Sequence, residues 1–140
     1  MFVGVIPLFS VNATVLFDSG ASHSFMAQTF VLTHHLKTQI GTQEWNIHTP
    51  TGGIRVSNKV CRNCPLEIGH LILSANLVVI DMNDFDIILG MDWLSKHHAF
   101  IDCRKKTVCF KISGEELCYY QGIQSRTPKA IHTKLGCQLT

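Results

Sequence analysis

Apolar positions along this chain gather in short, strand-length runs, and long stretches with the 3.6-residue period of a helix are few. Val3 to Pro7 and Ala13 to Phe17 are the first two runs, joined by a turn about Ser10 and Asn12; apolar, β-branched runs between turn formers read as strands. Pro7 assigns the first of them to a sheet edge, because proline brings no N–H to a ladder. Met26 to Leu36 has few breakers and reads as a short helix, opposed by the β-branched Thr29, Val31 and Thr33. From Trp45 to Val60 the pattern alternates. Trp45, Ile47 and Thr49 lie on one strand and Ile54, Val56 and Val60 on the returning one, about the turn Pro50-Thr51-Gly52-Gly53, which is hairpin chemistry. Leu66 to Ile68, Leu71 to Ser74, Leu77 to Ile80 and Ile87 to Leu89 read as core strands. Asp92 favours the start of a helix after Gly90, and Lys96, His97 and His98 suit its C-terminal end. Phe100 to Cys103 and Thr107 to Ile112 form a last hairpin about Arg104-Lys105-Lys106, followed by a strand from Leu117 to Tyr120. Beyond Gln121 the pattern is lost. The reading is one all-β domain with one or two short helices over residues 1–120, and a linker toward a following module over 121–140.

One run does not end as a core strand should. Ala13-Thr14-Val15-Leu16-Phe17 drives straight into Asp18, and Ser19-Gly20-Ala21-Ser22 follow at once. Burying a carboxylate is costly unless it is paired, hydrogen-bonded or protonated. Gly20 permits a tight turn with its amide near that carboxylate, and Ser19 adds a hydroxyl beside it. The chain is organised around this stretch.

Asp18-Ser19-Gly20-Ala21, behind Val15-Leu16-Phe17, resembles the catalytic loop of retropepsin-like aspartic proteases. Asp86-Ile87-Ile88-Leu89-Gly90-Met91-Asp92-Trp93-Leu94 resembles their second signature. With Ser22-His23-Ser24-Phe25 and Phe100-Ile101-Asp102-Cys103, the string is most similar to the protease of gypsy-class LTR retrotransposon polyproteins, over roughly residues 4 to 120. The resemblance implies the acid protease fold, a closed retropepsin-like β-barrel that forms one half of a two-fold symmetric dimer. It implies an aspartic endopeptidase that processes its own polyprotein, with Asp18, Ser19 and Gly20 in the catalytic loop. Ala21 and the flap residues Thr51, Gly52 and Gly53 would lie against the polypeptide substrate. Ile88, Leu89 and Gly90 would cross behind the loop, where any side chain at Gly90 would push the loop away. Ser19 would reach toward the partner loop. No cofactor is implied, and the setting is intracellular: the cytoplasm, or virus-like particles within it.

Hydrolysis of this kind needs two neighbouring carboxylates sharing a proton, one to draw a proton from water and the other to protonate the carbonyl. Only Asp18 lies in an Asp-Ser-Gly context; Asp81, Asp84, Asp86, Asp92 and Asp102 do not. One chain therefore supplies half a site, and a two-fold homodimer supplies both halves. Retroviral members brace that dimer with an ion pair, but Ser22 and Met91 stand at the two positions here. The alternative reading is a retropepsin-fold dimerisation or peptide-binding module with little hydrolysis.

Composition narrows the remaining classes. The chain has 140 residues, 46% of them hydrophobic, and a formal net charge of +2. Mean hydropathy is +0.17, high enough to leave apolar surface for a partner. Lys and Arg are scattered apart from the Arg104 triplet, a solvated turn, so no nucleic-acid patch is expected. No run reaches the ~18–20 apolar residues of a membrane span. Phe2 to Phe9 with Val11-Asn12-Ala13 has the outline of a signal peptide, yet no positive charge precedes it. Cys61 and Cys64 raise a zinc site, but no second pair follows, and residues three apart on a strand face opposite sides. Reduced, mostly buried thiols are the plainer reading of the six cysteines. His34-His35 and His97-His98 diverge by ~100° on a helix and make no chelate, so no metal is expected. Ser19, Ser22 and Ser24 near His23 lack the Gly-x-Ser-x-Gly setting of a serine nucleophile.

Overall fold

The structure, a computed structural model, describes residues 1–48, 53–113, 116–123 and 134–139. The order is β1 (Phe2–Leu8), β2 (Val11–Phe17), β3 (Phe25–Ala27), α1 (Gln28–Thr33), β4 (Gln39–His48), β5 (Ile54–Ile68), β6 (Leu71–Ile80), β7 (Ile87–Leu89), α2 (Met91–Lys96), β8 (Ala99–Asp102), β9 (Thr107–Ser113), β10 (Glu116–Gln121) and β11 (Lys134–Leu139). Strands run β1-β2-β7-β3-β6-β5-β4, and a further pairing of β1 with β5 at Leu8↔Leu66 closes the first six into a barrel. β4 lies outside the closure as an arm on β5. A second sheet runs β11-β10-β9-β8. The fold is all-β with two short helices and fits the retropepsin barrel.

Period-two burial builds the interior. Phe2, Gly4, Ile6 and Leu8 are buried on β1 while the residues between them are half-covered, as alternation on a pleated strand requires. Phe17, at the end of β2, is fully buried. Its ring lies 5.0 Å from Phe2, 5.5 Å from Tyr120 and 6.3 Å from Trp93, and Trp93 meets Phe110 edge-on at 5.7 Å. Aromatic rings of α2, β9 and β10 thus share one core with the barrel, anchored at the residue before Asp18.

Several elements differ from the sequence reading, each for a tertiary reason. The helix expected over Met26 to Leu36 shrinks to Gln28–Thr33, because Phe25–Ala27 is a strand wedged between β6 and β7. Ladder bonds on both sides outweigh the helical propensity of Met26 and Ala27. Leu66 to Ile68 is the far end of one long β5, and the two runs after it merge into β6. Within the hairpin, Trp45 and Ile47 pack toward Phe25, Val78 and Ile80, whereas Ile54 and Val56 are both 58% exposed. The stretch read as a linker contains β11, paired antiparallel to β10.

β1 has a distinctive free side. Its pairing with β5 is confined to Leu8, but Tyr120 Oη accepts from Val5 N–H and donates to the Val5 carbonyl, both at 2.9 Å. Ile123 N–H donates to the Val3 carbonyl at 2.8 Å. By the two-residue repeat Pro7 faces the same way, so its missing N–H leaves no gap in the β2 ladder. Gly4 makes room for the phenol, since a Cβ there would collide with the Tyr120 ring and hydroxyl.

Replacing Tyr120 by Phe leaves a strand N–H and C=O without their partner and should cost about 1–3 kcal/mol, read from urea unfolding. Burial pushes the Tyr120 phenol above its ordinary range, partly opposed by the bond to Val5. A raised folded value means that its contribution is complete below the unfolded value of about 10 and lost as pH climbs through the folded one. The alkaline loss of stability should be smaller in Tyr120→Phe.

Candidate active site

The Asp18 loop is positioned by two parallel strands. β2 and β7 pair in the register Val15↔Ile87, Leu16↔Ile88 and Phe17↔Leu89. Where β2 ends, Asp18 N–H donates to the Leu89 carbonyl at 2.9 Å, extending the ladder by one bond. The loop then folds back on itself. Gly20 N–H donates to Asp18 Oδ1 at 2.9 Å and Ala21 N–H to the Asp18 carbonyl at 3.2 Å. Asp18 is half-buried, Ser19 and Gly20 are exposed, and Ala21 is half-buried. The carboxylate is therefore held by a backbone amide at the rim of the barrel, where charge keeps some contact with water.

Behind the loop, backbone meets backbone. Ile88 is half-buried, Leu89 is buried, and a Cβ on Gly90 would collide with the His23 carbonyl oxygen and come within 2.6 Å of that of Ala21. Met91 N–H donates to the Ala21 carbonyl at 2.7 Å, and Asp92 N–H to that of Ser22 at 3.3 Å. The start of α2 is thus stitched to the descending arm of the loop.

A buried serine makes the remaining link. Ser24 is 1% exposed; its Oγ accepts from Gly90 N–H at 3.0 Å and donates to Asp92 Oδ1 at 2.6 Å. That same oxygen accepts from Trp93 N–H at 2.7 Å. A charged acceptor strengthens such a bond. Asp86 does related work at the other end of β7: its Oδ2 accepts from Thr14 N–H at 2.8 Å, its N–H donates to the Thr14 carbonyl, and its carbonyl accepts from Ala27 N–H. Sequence reasoning weighed Ser24 only as a nucleophile and assigned neither it nor Asp86 these bonds. The signal available was the cost of a carboxylate beside an apolar strand, which applies to Asp86 as it does to Asp18.

The loop also touches the hairpin arm. Ser22 Oγ lies 2.9 Å from His23 Nδ1, and the His23 ring meets Trp45 of β4 edge-on at 4.7 Å. Of the hairpin-tip residues, Gly53 is exposed just before β5, while Thr51 and Gly52 lie outside the described residues. Among the described residues no cluster of three or more His, Cys, Asp or Glu is placed to hold a metal. Cys61 and Cys64, expected on opposite sides of a strand, are both buried in the core cluster.

A family profile described as retroviral aspartyl protease matches residues 1–116. DNA damage-inducible protein 1 of Neurospora crassa is 27% identical over 120 residues, covering 86% of this chain and 26% of that protein. The UBA domain-containing protein Mud1 of Schizosaccharomyces pombe is 27% identical over 114 residues, covering 81% of this chain and 33% of that protein. The chain spans about a quarter to a third of the length of these curated relatives. Among solved structures, the retroviral protease-like domain of Ddi1 from Leishmania major superposes with a TM-score of 0.60 at 18% identity, covering 79% of this chain and 88% of that one. This last likeness concerns the fold.

Removing the Ser24 hydroxyl strands Gly90 N–H and one Asp92 bond, so Ser24→Ala should lower stability by about 1–3 kcal/mol. Gly90→Ala forces carbonyls of the loop apart and should cost more than Ser24→Ala in the same urea titration.

Proposed function

The chain belongs to the retroviral aspartyl protease family, and from that premise we propose that it is an aspartic endopeptidase working as a homodimer through paired Asp18 carboxylates. The observation that carries this reading is the Asp18 loop itself. A half-buried carboxylate accepts from the Gly20 amide, and the Asp18 N–H is anchored on the Leu89 carbonyl, on a loop whose Ser19 and Gly20 are exposed. One such carboxylate per chain is half of what the chemistry requires, and a two-fold axis beside the loop supplies the other half. With a water between them, one Asp18 acts as base and its mate as acid, exchanging roles as the amide is cleaved. Ser19 would bond across to the partner loop. The β4–β5 hairpin, with Thr51, Gly52 and Gly53 at its tip, would close over an extended peptide.

The substrate we infer is the chain's own polyprotein. The string from Asp18 to Ala21, with Asp86 to Leu94 and Phe100 to Cys103, supports it through the resemblance to gypsy-class retrotransposon proteases. The relatives named as DNA damage-inducible and UBA domain-containing proteins support the protease-like domain alone. A second reading, a peptide-binding or dimerisation module with little hydrolysis, is favoured by Ser22 and Met91, which offer no ion pair to brace two copies.

Unstructured peptides incubated at about pH 5 should be cleaved, with inhibition by a transition-state analogue of amide hydrolysis. Asp18→Asn should lower the rate about 10²–10⁴-fold or more while leaving the unfolding midpoint nearly unchanged. Specific activity should fall on dilution as dimers dissociate. Equal cleavage by the variant, or activity per mole independent of concentration, would overturn the reading.

A further inference from the structure

A cavity of about 350 Å³ opens beside the base of the β4–β5 hairpin, walled by Phe9, His35, Leu36, Lys37, Cys61 and Arg62. Cys61 thus forms part of the wall of a space whose charged lining residues, Lys37 and Arg62, are basic. The second thiol stands behind it because β5 is irregular. Its register against β6 passes from Cys61↔Leu77 to Cys64↔Ala75, three residues on one strand against two on the other. This is a bulge with one extra residue. Asn63 takes a left-handed φ of 54°, and its N–H is held by Asn76 Oδ1 at 2.9 Å. The extra residue cancels the alternation, so Cys61 and Cys64 both turn inward, at 3% and 0% exposure. The Cys64 thiol donates to the Cys61 carbonyl oxygen at 3.5 Å, which sets it beside its neighbour.

The geometry points to a peroxide-reactive dithiol, in which Cys61 is the attacking sulfur, reached through the cavity, and Cys64 is the resolving one. In the first step the Cys61 thiolate displaces on one oxygen of a hydroperoxide. The O–O bond breaks, the leaving oxygen departs as an alcohol or water after taking a proton, and Cys61 becomes a sulfenic acid. In the second step Cys64 sulfur attacks Cys61 sulfur, the S–O bond breaks, and the hydroxyl leaves as water with the Cys64 proton. Two thiols lose two electrons to form one disulfide, and the hydroperoxide gains them.

The roles follow from the surroundings. Lys37, Arg62 and His35 favour an anion in the cavity wall. The neighbouring Cys64 side chain lowers the Cys61 thiol from its ordinary range against the opposing effect of burial, whereas the Cys61 side chain and burial together push Cys64 up. The Cys64 thiol directs its proton at the Cys61 carbonyl oxygen. Two buried core thiols with no such arrangement would be inert packing.

Cys103, an exposed free thiol, is the internal control. The full chain is treated with hydrogen peroxide and then alkylated, and its peptides are mapped by mass spectrometry. The expected result is a Cys61–Cys64 disulfide forming about tenfold faster than oxidation of Cys103. In Cys64→Ser, dimedone should trap sulfenic acid at Cys61; in Cys61→Ser, Cys64 should stay reduced. Modification of Cys103 with Cys61 and Cys64 untouched in the unsubstituted chain would overturn the proposal, as would sulfenic acid trapped first at Cys64.

Discussion

The close approach of the Gly90 backbone to the carbonyls of Ala21 and His23 is the constraint on which the rest of this structure depends. It lets β7 pass directly behind the Asp18 loop, so that the loop's first amide can bond to Leu89 and its descending arm can bond to Met91 and Asp92. Both sides of the contact are main chain, which has no rotamer to yield. The side chains that secure it are few: Ser24 joins Gly90 N–H to the Asp92 carboxylate, and Phe17 fixes the loop's other root within an aromatic cluster. A carboxylate at a barrel rim is thereby given a fixed address without being sealed from water.

What could be read in advance, and what could not, follows the range of the interactions involved. The Asp18 loop and the apolar strand ending at Gly90 were legible because consecutive residues carry their patterns. A carboxylate after an apolar run is a local conflict that a sequence displays openly. β3 was not legible, since three residues become a strand only when Val78 and Ile88 stand on either side of them. The bulge in β5 was hidden for the same reason. Counting by twos put Cys61 and Cys64 on opposite faces, and only the left-handed turn at Asn63, held by the distant Asn76, reverses that. Ser24 lay within a motif already singled out, yet its partners are more than 60 residues away.

The hairpin arm illustrates a related division. β4 pairs with β5 outside the closed barrel, so only one of its faces has a core to cover. Trp45 and Ile47 use that face, while Ile54 and Val56 remain in water. Among the described residues the arm is tied to the loop by the edge-on contact of His23 with Trp45. An element joined to the body through few contacts opens at lower free energy than the barrel beneath it.

The phenol of Tyr120 has a consequence for the protein's behaviour at high concentration. A strand with unpaired amides along one side is a template on which another polypeptide can add itself. By satisfying both backbone groups of Val5 with a single hydroxyl, and by placing the Ile123 amide on Val3, the fold denies β1 to any such recruit. Resistance to edge-to-edge aggregation is thus built in at the seam of the barrel, by a side chain standing where a neighbouring strand would otherwise lie.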